Sequence, residues 1–321
     1  MPGRPESPRG GTAIMTLTRS RTQNLFAVTA VVATLLMLSV RPAVAKDCDR
    51  ECLGDLVTQY LKDMIGHNPA ALPVAPNVRF TENGEVMKLG DGLWRTASGL
   101  GTYRQDILDV AGHTAATQAV VLEDGDKPVL FALRLKERDR KIDEIETMVV
   151  PHDKSSLIFD PAGYQKGNEQ MTFVPPASEI DSRAEAIKIA MKYPQGLKIG
   201  SFVQVDTPFA SDAYRIENGI HTAGAGCTRA GCENIKTQKI IQHPGIQARV
   251  AAVDAHIGMV LLYLNFGNTT QYGPGQALVT FEAFKIYGGQ IHAVNAVLRM
   301  ASASATSGWG PELPVKVPPA N

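Results

Sequence analysis

Apolar residues recur at helical spacing through Asp49–Met64, "DRECLGDLVTQYLKDM", where Leu53, Val57, Leu61 and Met64 share one face and predict a helix. Strand signals follow around Val78–Thr81. The glycine-rich stretch Lys88–Leu108 predicts irregular structure leading into a short helix. Ala116–Leu122, Val129–Lys136 and Ile142–Val150 then read as strands, with "KERDRK" as the charged hairpin turn between the last two. Pro151–Pro176, dense in Pro, Gly, Asp and Lys, predicts a linker. After it the order restarts. Ser178–Tyr193 predicts a second helix, with Ser178 ahead of Asp181 as its capping signature. Strands are predicted at Ile246–Val253, Met259–Phe266, Ala277–Ile286 and Ile291–Met300.

The restart is residue-specific. "RFTENG" at Arg79–Gly84 returns as "YRIENG" at Tyr214–Gly219. Setting Lys141-Ile142 on Gln290-Ile291 superimposes the two C-terminal hairpins without a gap, so that Val129 meets Leu278, Leu135 meets Phe284, Lys136 meets Lys285, Ile145 meets Val294 and Val149 meets Leu298. The chain therefore reads as a tandem duplication: a first module at 46–150, a linker at 151–177 and a second module at 178–300. The tail at 301–321 has a composition that predicts disorder.

Composition narrows the function classes. The chain has 321 residues with 32 basic and 32 acidic side chains, and this balance gives no electrostatic basis for nucleic acid or an anionic membrane as partner. Arg19 and Arg21 precede the uncharged run Leu25–Val40, and Ala43-Val44-Ala45 offers small residues for cleavage, so residues 1–45 predict a Sec-type signal and a periplasmic or secreted protein with no stable membrane anchor. Met15 gives that signal normal proportions. Four cysteines follow it, Cys48, Cys52, Cys227 and Cys232, and an even count in an exported chain predicts disulfides, with three connectivities open. Their spacing does not match a zinc site.

A helix followed by a curved antiparallel sheet, closed by hairpins such as "LRLKERDRKIDEIETMV" and "FKIYGGQIHAVNAVL", resembles the SnoaL-like branch of the nuclear-transport-factor-2-like superfamily. "GDGLWRTASG", "LRLK", "IETMV" and "YRIENG" also resemble a poorly characterised family of secreted two-module fungal and bacterial proteins of that superfamily. The resemblance implies an α+β fold: two cone-shaped SnoaL-like modules, each a curved antiparallel sheet wrapped around helices, with self-association into a homodimer through sheet faces. The segment Gln59–Gly84 is similar to the corresponding part of ketosteroid isomerase, which puts Tyr60 at the oxyanion-donor tyrosine and Glu82 at the proton-moving carboxylate. Glu217 takes the carboxylate place in the second half, where no tyrosine is clearly placed on the helix.

The candidate residues follow. A carboxylate at a strand end facing a dry cone has its pKa raised and can act as a base near neutral pH, which makes Glu82 the leading catalytic candidate, with Tyr60 as oxyanion donor. His113 is the third catalytic candidate. Asp91, Trp94, Arg95 and Tyr103 are expected to bind substrate at the cavity rim. Glu217 and Glu282 are secondary candidates, Glu282 because it occupies the place of Leu133, an inward position diagonal to His292. Arg134 and Glu144 predict a cross-strand ion pair without a catalytic role. His221 and His256 read as structural. No nucleophile elbow, phosphate loop or metal-ligand spacing occurs, so neither cofactor nor metal is expected. The expected activity is cofactor-independent acid/base chemistry of the isomerase, lyase or hydratase type on a small apolar or aromatic molecule in the first module. The alternative is a small-molecule binding protein without chemistry. The stapled loop Ala223–Cys232 makes the second module the expected packing partner.

Overall fold

The computed structural model describes residues 48–165, 169–269 and 271–317. The expected signal at 1–45 lies outside the described residues. Asp47–Asn321 form one compact unit. Helix α1 (Arg50–Ile65) starts at Asp49, whose carboxylate accepts the Cys52 amide at 3.1 Å. It buries Leu53, Leu56, Val57, Tyr60, Leu61 and Met64 on one face. Strand β1 (Val74–Glu82) and the short β2 (Glu85–Met87) follow. A 3-10 turn at Gly92–Arg95 leads to β3 (Ala97–Asp109), β4 (Thr114–Glu123), β5 (Lys127–Arg138) and β6 (Lys141–Val150). The short helix expected before Leu108 is thus part of a long strand: from Tyr103 to Ile107 its buried positions alternate with half-buried ones at a period of two.

The second half carries α4 (Arg183–Ile199), β7 (Phe209–Glu217), β8 (Ile220–Gly224), β9 (Gln247–Asp254), β10 (Met259–Asn265), β11 (Gln276–Tyr287) and β12 (Gln290–Ser302). Between the halves lie two short helices, α2 (Pro161–Gln165) and α3 (Glu169–Thr172), and after them comes β13 (Leu313–Pro314). The first sheet has the order β2-β1-β6-β5-β4-β3 and the second β13-β9-β10-β11-β12-β7-β8. With β13 set aside, the two orders are the same, including one parallel pair in each, β1 with β6 and β7 with β12. Register matches too. Val74, Phe80 and Glu82 lie opposite Ile142, Ile145 and Thr147, while Phe209, Arg215 and Glu217 lie opposite Ile291, Val294 and Ala296. These are the positions that the gap-free hairpin alignment equates.

The recurring Glu-Asn-Gly has a mechanical cause. Asn83 and Gly84 take φ of 55° and 86°, Asn218 and Gly219 take 45° and 88°, and this left-handed pair closes the tight turn into the following short strand. Each asparagine also replaces a strand residue for its neighbour. Asn83 donates to the Val149 carbonyl and accepts the Val149 amide at 3.2 and 3.0 Å, and Asn218 does the same with Leu298 at 2.8 and 2.9 Å.

The layers correct the expected architecture. The chain is mostly β, and its sheets are mixed, not antiparallel, and do not wrap helices as cones. α1 packs on one face of the first sheet and α4 on one face of the second, each with its own core. The opposite faces pack on each other through a third core containing Ile107, Val120, Leu130, Met148, Leu261 and Phe281. The physical reason is burial on both faces: β4, β5, β6, β10 and β11 are nearly continuous buried runs, which need a partner on each side. The sheet face expected to meet a second copy is occupied by the other sheet of the same chain.

Two reciprocal ion pairs tie the halves together. Arg50, the first residue of α1, reaches Asp254 at the end of β9 (2.6 Å), and Asp254 also accepts the Leu108 amide (2.9 Å). Arg183, the first residue of α4, grips Asp109 at the end of β3 (2.5 and 2.8 Å), and Asp109 accepts the Val253 amide (2.9 Å). The described parts of the linker and tail are packed, against expectation. Tyr164 and Met171 enter the inter-sheet core. Trp309 is 6% exposed, donates its indole N–H to Thr81 Oγ1 at 2.7 Å and lies under the Arg79 guanidinium, 4.4 Å from the ring centroid.

Candidate functional site

In the first half, Tyr60 and Trp94 are buried and bonded to each other. The indole N–H of Trp94 donates to the Tyr60 hydroxyl at 2.8 Å, and the two rings meet edge to face with centroids 5.2 Å apart. Both side chains are buried in the core under α1. Glu82 turns its carboxylate onto the start of the Gly92–Arg95 turn and accepts the Leu93 amide at 3.1 Å. Gly92 takes φ 66°, a left-handed backbone that favours glycine, and a Cβ there would displace that carboxylate. Burial pushes the Glu82 pKa up; the Leu93 amide opposes the shift and Glu123 adds to it. Burial also raises Tyr60 well beyond the ordinary phenol range, against the Trp94 hydrogen bond and with help from Glu82. Asp91 and Arg95 form an ion pair one turn apart, with Arg95 exposed to solvent.

The other two first-half candidates lie elsewhere. Tyr103 sits in the inter-sheet core, edge-on to Tyr164 at 4.7 Å, with its hydroxyl accepting from Asn295 at 2.7 Å. β3 turns Tyr103 away from α1, onto the face that meets the second sheet. His113 occupies the β3–β4 turn with φ 47° and contacts Glu137 at 3.1 Å, half exposed. Neither belongs to the Tyr60–Glu82 group.

The second half holds the ionisable cluster. Taking Arg50 onto Arg183 along the two helices places Tyr60 on Tyr193, so the helix does carry its tyrosine, contrary to the sequence expectation. Tyr193 is fully buried among Phe202, Phe209 and Phe284. Its hydroxyl accepts from Arg215 Nη1 at 3.0 Å. Arg215 stands where the first half has Phe80, and its Nε reaches Thr222 Oγ1 at 2.9 Å and Glu217 Oε1 at 3.4 Å. Burial works against the Arg215 charge, but Glu217, Tyr193 and Glu282 outweigh it and hold the guanidinium protonated.

Glu282 completes the group. It lies on β11 at the position of Leu133, facing α4, with no solvent exposure. Thr280 Oγ1 donates to Glu282 Oε1 at 3.3 Å, and the other oxygen has no hydrogen-bond partner. Burial first, then the neighbouring Glu217, pushes its pKa up to about 8, against Arg215 and the Thr280 hydroxyl. Tyr272, on the loop before β11, feels the same three charges after burial, which places its ring near the cluster. The expected neighbour His292 is not part of this group: it stacks on Tyr287 at 3.5 Å, and Glu282 is instead opposite Ala296.

A carboxyl group in an apolar core that titrates near neutrality can carry a proton in either direction. A fixed guanidinium beside it can stabilise negative charge developing on an oxygen. The sequence reading passed over Tyr193 and Arg215. The signal for Tyr193 was the equal spacing from Arg50 to Tyr60 and from Arg183 to Tyr193. The signal for Arg215 was a charge set between the apolar residues Ala213 and Ile216, at the place that Phe80 holds in the first half.

Both disulfides are local, Cys48–Cys52 and Cys227–Cys232, with Cα separations of 5.2 and 6.0 Å. Among the described residues, no helix is long and apolar enough to cross a membrane. These two facts are compatible with an exported protein.

A family model described as a domain of unknown function (DUF8021) matches residues 179–298, the half that contains the Glu282 cluster. The comparison with curated proteins returns no match. Among solved structures, the chain is similar to a de novo designed protein with a curved β-sheet, at 18% identity and a TM-score of 0.26. That alignment covers 32% of this chain and 88% of the designed one.

Proposed function

We propose that the protein is an exported, cofactor-independent acid/base enzyme of the isomerase or lyase type, acting on a small, largely apolar molecule beneath α4 in the second half. The observation that carries this reading is the buried Glu282 carboxyl, with one oxygen unpartnered, in the same cluster as Arg215 and Tyr193. Glu282 takes or gives the proton, and Arg215 with Tyr193 faces the oxygen on which charge develops. In the first half the corresponding groups are already engaged, Tyr60 by the Trp94 indole and Glu82 by the Leu93 amide. Export by the signal at 1–45, to a periplasmic or secreted destination, belongs to the same proposal and is supported by the disulfides.

A binding protein without chemistry is the second reading. It is favoured by the saturation of Arg215, already engaged by Tyr193, Thr222 and Glu217. The two readings part in an untargeted comparison of small-molecule extracts incubated with wild type and with Glu282→Gln. The enzyme reading predicts a compound that disappears and a product that appears, with the rate falling roughly 100-fold or more in the variant. A ligand recovered unchanged from saturated wild-type protein contradicts it.

A further inference from the structure

At one end of the inter-sheet core, the two sheets and the C-terminal segment leave a groove of about 360 Å3. Along β5 the face that carries Leu130 and Ala132 into the apolar core continues as Arg134 and Lys136, which line the groove. Arg249 on β9 and Arg183 at the start of α4 complete four cations. Most of the nearby negative charge is already engaged. Asp109 is held by Arg183 and by the amides of Gly112 and Val253. Glu146, beneath the groove, is shared between Arg134 (2.7 Å) and Arg249 (2.6 Å), and Glu144 accepts from Arg134 (2.6 Å).

Among the described residues, two donors are left over. Arg249 Nε is buried with no partner. The Lys136 ammonium meets a single backbone carbonyl, Gly112 O, at 2.5 Å. The repeat shows what belongs beside it. Lys285, the counterpart of Lys136, bonds Ile257 O, the counterpart of Gly112 O, and also Phe173 O from the segment between the halves. That second acceptor has no equivalent at Lys136, where the groove opens instead. An unmatched buried donor and a half-satisfied ammonium in a cationic cleft are the marks of a site for an anion.

We propose that the groove between β5, β9 and Trp309 binds a small organic anion with two acidic charges, either a dicarboxylate or a phosphate ester, which presents an oxygen to Lys136. Trp309 forms one wall, with the Arg134 guanidinium 5.2 Å from its ring centroid. This site is separate from the Glu282 cluster, which lies on the other face of the second sheet.

The test is calorimetric titration of the full chain with succinate and, separately, with inorganic phosphate, at low ionic strength. Saturable one-to-one binding of at least one anion is expected, with succinate alone assigning a dicarboxylate and phosphate alone a phosphate ester. Lys136→Gln should weaken it about tenfold, as for loss of one charge-assisted hydrogen bond. The exposed Lys127→Gln should leave it unchanged. Absence of saturable binding with both anions overturns the proposal. So does an affinity that Lys136→Gln and Lys127→Gln alter equally, which is the behaviour of a diffuse ionic atmosphere.

Discussion

Replacing Glu282 by Gln should change how stability depends on pH, in a direction the structure fixes. The carboxyl titrates at about 8 in the folded chain against an ordinary value of 4.5. The folded state therefore holds a proton that the unfolded state has released over that whole interval. Stability from the neutral acid is fully present below about pH 4.5, declines as pH rises, and is gone above about pH 8. Each pH unit is worth about 1.4 kcal/mol, so the full interval amounts to about 5 kcal/mol. No discount for solvent screening applies, because the side chain is fully buried. Glutamine keeps the shape and stays neutral throughout. Wild type and variant should thus be nearly equal in urea unfolding at the acid end. At the alkaline end the variant should be the more stable by about 5 kcal/mol. Taking the difference between the two proteins cancels titrating groups that do not interact with Glu282, among them His243, which burial holds down at about 4. A difference that stays flat across this range would refute the reasoning, since it would mean that Glu282 is ionised in the folded chain at neutral pH.

Three further outcomes follow from contacts described above. Asp109→Asn and Asp254→Asn should each cost about 1–3 kcal/mol in urea unfolding, because each weakens a charged hydrogen bond to an arginine that solvent can still reach, and the two costs should be similar if the halves are held reciprocally. Tyr60→Phe leaves the Trp94 indole N–H unpaired in a dry core and should cost about 1–3 kcal/mol in thermal melting while substrate conversion persists; lost conversion with intact stability would return the site to the first half. Trp309→Ala should lower stability by about 3–5 kcal/mol, whereas a disordered tail would make the substitution silent in the same melt.

The repeat was legible because its signals are local. Glu-Asn-Gly turns need left-handed residues, and the β5–β6 hairpin turns through Asp139 and Arg140, at φ 53° and 60°, within the predicted "KERDRK". The Arg134–Glu144 ion pair was legible too, although it forms on a diagonal: Arg134 lies opposite Glu146, which it also bonds, and Glu144 lies opposite Lys136. The layering was not. Leu130, Ala132 and Met148 looked like ordinary strand residues, and only the length of the buried runs hinted that both faces needed cover. Candidate residues divided along the same line. Glu282 was found because Leu133 marked its position as inward. Tyr193 was missed because the predicted helix ended there, although it continues through Pro194 to Ile199. Trp94 was placed at a rim because a glycine-rich segment reads as loop, yet its indole needed the Tyr60 oxygen and drew it into the core.

The proposed chemistry belongs to the second half and runs through Glu282. Wild type, Glu282→Gln and Glu82→Gln should be compared side by side for turnover of the compound that wild type converts. The account predicts a fall of roughly 100-fold or more in Glu282→Gln and little change in Glu82→Gln. Full activity in Glu282→Gln, or the larger loss in Glu82→Gln, would contradict it.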